Sequence, residues 1–237
     1  MISQLFSTCK CFGFLFAAVM LFTVFPGLDL WVSNLFYAGQ GYFPANDVWS
    51  VRGVYQMTPW IGRVIFSSAL VVVLLAIFAP SKISRRQWRR SAAIVAVVIL
   101  GIGLLVHAVL KEGMGRPRPR DIHNFAGSTS YVPVLKASQF CQTNCSFVSG
   151  HAAVGYSLMA LGMFGVRERR RFWLLTALLL GSAIGFVRIA QGGHFLSDIV
   201  FSFLFIWLTH VAIRFCWLYF RLRQLQIPML TPSRLPQ

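Results

Sequence analysis

Acidic residues are nearly absent: the 237-residue chain holds 6 Asp+Glu, and charged residues of both signs make up 12% of it. Soluble domains carry about 25% charged and about 45–50% apolar residues, whereas 57% of this chain is hydrophobic. An ordinary water-soluble domain and a disordered basic protein are therefore both excluded. Internal repeats and low-complexity tracts are missing too, and the segments between apolar runs are too short for a second domain, so residues 1–237 read as one domain. No small-x-small cleavage site follows the first apolar run; Pro26 and Asp29 come next, which marks an uncleaved span rather than a signal peptide. What is plentiful is positive charge, 22 Lys+Arg for a formal +16. Nucleic-acid-binding proteins spread such charge over a polar surface. Here it falls between long uncharged runs, so nucleic acid is not an expected partner.

Those runs are long enough for lipid. A spanning helix needs about 20 largely apolar residues, and six segments qualify, at roughly 11–28, 61–79, 92–110, 149–166, 172–190 and 195–213. Lipid leaves no water for an open backbone, so each is expected to be helical, and the fold class is an all-α polytopic bundle of six transmembrane helices. Lys82, Arg85, Arg86, Arg89 and Arg90 lie between spans two and three, and Arg167, Arg169, Arg170 and Arg171 between spans four and five. The positive-inside rule puts these in the cytoplasm. With Lys10, Arg214, Arg221, Arg223 and Arg234 they place both termini there, using 14 of the 22 basic residues. In the outer segment 29–60, Leu30, Trp31, Leu35 and Phe36 recur at helical spacing, which reads either as an interfacial helix or as a connector.

The remaining basic residues cluster. Lys111, Arg116, Arg118 and Arg120 follow span three in KEGMGRPRPR, stiffened by Pro117 and Pro119. Taken alone this run suits a lipid headgroup, but Ser149, Gly150 and His151 open span four, and Arg188, His194 and Asp198 straddle the turn between spans five and six. In a six-span protein all these positions share one side. His194 and Asp198 are four apart, so the carboxylate is expected to accept a hydrogen bond from the imidazole and orient it. His151 lies at a helix N-terminus, an anion site, where Gly150 lets the backbone approach a ligand.

Three fixed cations, two histidines and one carboxylate suit a phosphate ester. Lys111, Arg118 and Arg188 would neutralise phosphoryl oxygens. His194 would attack phosphorus, and His151 would protonate the leaving oxygen and later take a proton from water. No metal or other cofactor is required, and the acids on this side, Asp29, Asp47, Glu112, Asp121 and Asp198, are too few for a two-metal centre.

Lys111, Arg118 and Pro119, then Ser149–His151, then Arg188, His194 and Asp198 match in order and spacing the three-part signature of the type 2 phosphatidic acid phosphatase family, which the chain resembles. The resemblance implies a six-helix, metal-independent membrane phosphatase that is a phosphoric monoester hydrolase. It makes His151, His194 and Asp198 catalytic and gives phosphate binding to Lys111, Arg118, Ser149, Gly150 and Arg188. Val148 and Val187 depart from the pattern, where Pro and Ser are usual; the first loosens the turn and the second removes a hydroxyl. GRPRPRD, the block Cys141 to Ala152 and the stretch from Phe25 are in addition similar to lipid A phosphatases of Gram-negative inner membranes. That would imply removal of the 1- or 4′-phosphate of lipid A at the periplasmic face, with a phosphorylated lipid in the bilayer as partner. Undecaprenyl pyrophosphate and phosphatidylglycerophosphate phosphatases share the motifs and stay open as alternatives. So do a lipid phosphoryl transferase and, outside enzymes, a transporter, although no polar path continues through the spans.

Cys141 and Cys145 sit where an oxidising compartment would favour a bridge, and either a disulfide or two thiols fits. Cys9, Cys11 and Cys216 read as apolar fillers. His107, one turn before Lys111, is either a partner of the site or a packed intramembrane histidine; haem ligation by His107 and His210 fits their depths poorly. His123 and Arg120 are either headgroup contacts or solvated.

Overall fold

A computed structural model describes residues 2–226, with side chains from 8 to 224; Arg234, expected in the cytoplasm, lies outside the described residues. The order is α1 (Ile2–Val24), α2 (Gly27–Asn34), α3 (Trp49–Phe78), α4 (Arg85–Ala96) running on as a π-helix (Val97–Lys111), the short α5 (Glu112–Met114), α6 (Gly150–Ser157), a 3-10 turn (Leu158–Gly162), α7 (Arg167–Ala190) and α8 (Leu196–Gln226). The described residues contain no strand, only one isolated bridge between Ile122 and Thr129.

Four of these helices are long and apolar enough to cross a membrane: α3, α4 with its π continuation, α7 and α8. Counting α1 with α2 as one bent span makes five; the pair turns through 81° at Pro26, where the missing N–H ends the helix. The segment expected as a fourth span is shorter than a bilayer requires: α6 and its 3-10 turn end at Gly162. Apolar runs alone also misplace the start of α3. It begins at Trp49, not Ile61, and carries Pro59 in its interior. The stretch after Pro26 is helical as α2, with Trp31 and Leu35 outward and Asp29 and Ser33 buried.

Local chemistry sets the ends. Ser84 and Gln87 form a reciprocal capping box at the start of α4. Gly192, at φ +62°, lets the chain leave α7 in the left-handed region, with its N–H on the Ile189 carbonyl.

The core forms around α8, whose Ile199, Phe201, Leu204 and Ile206 meet Phe22 of α1, Val97 and Val106 of the π-helix, Ala153 and Tyr156 of α6 and Ala177 of α7. Outward faces keep large apolar side chains such as Phe14, Ile77, Leu179 and Phe186 exposed, as lipid-facing surfaces do. Packing between helices in lipid relies on close backbone approach at small residues, and α6 crosses α7 in this way. A Cβ at Gly155 would lie 2.6 Å from Gly181 Cα. Gly155→Ala is expected to lower stability by about 1–3 kcal/mol, read as an earlier thermal unfolding midpoint in detergent; an unchanged midpoint would contradict this packing. A second cluster, Phe43, Ile122, Phe125 and Phe195 with Tyr37 and Tyr131, binds the loops over one end of the bundle.

Candidate active site

At that end lies a cavity of about 350 Å³ lined by Tyr55, His107, Lys111, Arg118, Asn144, Gly150, His151, Arg188 and His194, with Pro59, Ile65, Phe66, Val98, Ile102 and Val154 along its apolar side. The sequence-predicted cations and both histidines therefore meet at one place by geometry, without the parity of six crossings. Among the described residues no carboxylate lines this cavity, so the field there is positive.

Each cation is held by neutral oxygen, main-chain for Lys111 and Arg118 and a side-chain amide for Arg188. Lys111, 4% exposed at the end of the π-helix, donates from Nζ to the Cys145 carbonyl at 2.7 Å and to Asn144 Oδ1 at 3.2 Å. Arg118 donates to the Asn144 carbonyl at 2.7 Å. Both acceptors belong to a loop closed by a disulfide between Cys141 and Cys145, so the bridge shapes the frame on which two cations rest. Gly115 starts the run at φ +55°, where a Cβ would strike the Ser138 carbonyl oxygen at 2.0 Å. Arg188 bonds Gln191 Oε1, lies against Gly193, where a Cβ would sit 2.2 Å from its guanidinium, and keeps a buried Nε with no partner.

His194 is 2% exposed and its Nδ1 lies 2.8 Å from the Ser146 carbonyl, which can only accept, so Nδ1 carries the hydrogen and Nε2 the lone pair. Asp198, expected to take that hydrogen bond, stands at 3.6 Å from Nδ1. Its oxygens are engaged instead by Arg116 at 2.6 Å, by the Ser146 hydroxyl and by the Phe195 N–H. Burial pushes the imidazole down to about 3, against the pull of Asp198, with Lys111 and Arg188 adding to the lowering. At neutral pH the ring is uncharged and Nε2 can act as a nucleophile.

Asp198 does not line the cavity; it sits behind His194. Neither does Ser149, expected to hold phosphate: its hydroxyl caps α6 by accepting from Ala152 N–H, and its carbonyl accepts from Ser202. Gly150 does line it, and its missing side chain admits His107, whose Nε2 would be 3.1 Å from a Cβ there. His107 is thus a wall of the site. His210 is about 21 Å along α8 from its start and lines no part of the cavity. Val148, expected to loosen the turn before Ser149, is fully buried in the core.

Two features escape a reading by motif. The first is a buried ion cluster in which Arg116, 1% exposed, bridges Asp29 at 2.8 Å and Asp198 at 2.6 Å and donates to the Val132 carbonyl. Asp29 also takes the Ser197 N–H and hydroxyl at the first turn of α8, an anion on the positive end of a helix. A carboxylate on an apolar helix of a chain so poor in acids is the signal that points to it. The second is Tyr55, whose ring stacks on His151 at 4.9 Å and lies 4.5 Å beneath the Arg188 guanidinium.

The arrangement can hold a phosphoryl group among three cations, with one imidazole placed to attack and another to move a proton. Residues 91–223 match the family model described as the PAP2 superfamily. The lipid A 4′-phosphatase of Francisella tularensis subsp. novicida is 31% identical over 199 residues, 82% of this chain and 88% of that one. The lipid A 4′-phosphatase of Rhizobium leguminosarum is 30% identical over 203 residues, 79% and 86% of the two chains, and that of Rhizobium etli 28% identical over 203 residues, 79% and 78%. No solved structure matches the chain significantly. With the family match covering more than half of the chain and the motif residues gathered round one cationic cavity, the chain belongs to the PAP2 superfamily and is a membrane-embedded phosphatase.

Proposed function

We propose that the chain removes the 4′-phosphate of lipid A through a phosphohistidine on His194. The observation that carries this reading is the cavity itself, which joins a carboxylate-free cationic end to an apolar side between α3 and the π-helix. That is the polarity of a phosphate ester attached to acyl chains. The relatives named above supply the substrate and the position. His194 Nε2 attacks phosphorus, and the ester oxygen leaves with a proton from His151. A water then attacks the phosphohistidine, giving its proton to His151, and the P–N bond breaks to release inorganic phosphate. Lys111, Arg118 and Arg188 balance charge on the phosphoryl oxygens. Asp198, held by Arg116, faces the Nδ1–H side of His194 and offsets the charge it gains on phosphorylation.

We further infer six crossings of the bacterial inner membrane, with both termini cytoplasmic and the cavity periplasmic. Arg90 and Arg169 share a surface hollow near the joint of α4 and α7, at the opposite ends of those helices from Lys111 and Arg188, as the positive-inside rule favours. The segment Gly150–Gly162 is shorter than a lipid-facing span but is packed among other helices, where a bilayer tolerates it. The test is purified protein in detergent given lipid A phosphorylated at both ends, with products located by mass spectrometry. Loss of the 4′-phosphate is expected. Loss of the 1-phosphate, phosphate release only from undecaprenyl pyrophosphate or phosphatidylglycerophosphate, or phosphate recovered on a second lipid would each overturn the assignment.

A further inference from the structure

Pro59 lies inside α3, and a proline has no N–H to give to the carbonyl four residues before it, which here belongs to Tyr55. That carbonyl is not left idle: His151 Nε2 lies 3.2 Å from it. A carbonyl can only accept, so Nε2 carries a hydrogen and Nδ1 becomes the nitrogen through which His151 exchanges protons with a ligand. The Tyr55 ring stacks on the same imidazole with an interplanar angle of 19°, and Gly62, two turns along α3, allows close approach to α6 by placing a would-be Cβ 3.1 Å from Val154 Cγ1.

We propose that the Tyr55 carbonyl, released by Pro59, is the positioning acceptor for His151, doing for the proton donor what the Ser146 carbonyl does for His194. Pro59 and Tyr55 are thus positioning residues that act through the imidazole. In the first half-reaction His151 enters as the imidazolium, with a hydrogen on each nitrogen; the Nδ1 proton passes to the ester oxygen as the P–O bond breaks, and the neutral ring is left with Nε2–H on the carbonyl. In the second, Nδ1 regains a proton from water. A helix wall and a proton donor are linked by one hydrogen bond that a proline makes available. This rests on His151 being the acid in the reaction proposed above.

Pro59→Ala and Pro59→Ser each restore an N–H that competes for the Tyr55 carbonyl, and both favour an ordinary helix, so the proteins are expected to fold and to unfold no earlier than wild type. The readout is kcat/KM, which reports phosphorylation of the enzyme, measured with an alkyl phosphate and with dinitrophenyl phosphate. The alkoxide needs a proton to leave and dinitrophenolate does not. The variants are expected to lose about 10- to 100-fold on the alkyl ester, the scale of a hydrogen bond to a charged group, and less than about twofold on the activated ester. Equal losses on both esters, or none on either, in folded protein overturn the proposal. His151→Ala separates the two levels of argument. If it too shows no difference between the esters, the acid assignment of His151 fails; if it shows the difference and the Pro59 variants do not, only the role of Pro59 fails.

Discussion

A His194→Ala protein is expected to release phosphate from lipid A slower by on the order of 10⁶-fold, the scale reached when a covalent nucleophile is deleted. The size follows from the geometry. Only one nitrogen of this ring is free to attack, since Nδ1–H is fixed on the Ser146 carbonyl. After rapid quench with labelled substrate the wild type should carry phosphate on His194 and the variant none. Label on another residue would remove His194 from the role. The same substitution should change acid sensitivity. The folded ring, lowered to about 3 by burial, resists a proton that the unfolded chain accepts at about 6.5. Its share of stability is complete above that value and is lost as pH falls from about 6.5 toward about 3. His194→Ala should unfold with a flatter pH dependence across that window, and equal slopes in thermal unfolding would contradict the buried neutral ring.

Arg116→Ala is expected to cost about 3–5 kcal/mol of stability, because removing one partner from a buried ion pair leaves its counter-charge unpaired. Here two carboxylates, Asp29 and Asp198, would be left facing a hole, both almost wholly out of solvent. Activity should fall with it, since Asp198 orients the loop that holds His194 through Ser146 and Phe195. Arg116→Lys should recover only part of both. Its ammonium can meet one carboxylate but cannot span Asp29, Asp198 and the Val132 carbonyl together, as the planar guanidinium does. Thermal unfolding in detergent reads the first effect. An Arg116→Ala protein that unfolds at the wild-type temperature would show that the cluster does not hold the bundle.

Lys111, Arg118, His151, Arg188 and His194 were legible because their spacing is local: each motif fits within eleven residues or fewer, and order along the chain survives folding. The helical class followed from apolar runs alone, for the same reason. The partnership of Asp29 with Arg116 was not legible, since it joins residues 87 apart and nothing in either neighbourhood names the other. Tyr55 was hidden for a different cause. The apolar run expected as a span starts at Ile61, and only the structure shows a helix that begins at Trp49 and passes through Pro59 with the orphaned carbonyl bonded elsewhere. The hydrogen bond expected between His194 and Asp198 went astray by similar logic. Four residues of spacing put them on one face, but an arginine and a serine hydroxyl claimed the carboxylate first.

The family match begins at residue 91, yet the pocket does not. Tyr55 supplies the carbonyl under His151 and Asp29 supplies one of the two counter-ions of Arg116, both from the portion of the chain that the family model does not match. A fragment cut to the matched region would keep every motif residue but lose Asp29 and the Tyr55 carbonyl. The unit that can be moved, swapped or shortened in this protein therefore includes α2 and α3, which precede the matched region and hold Arg116 and His151.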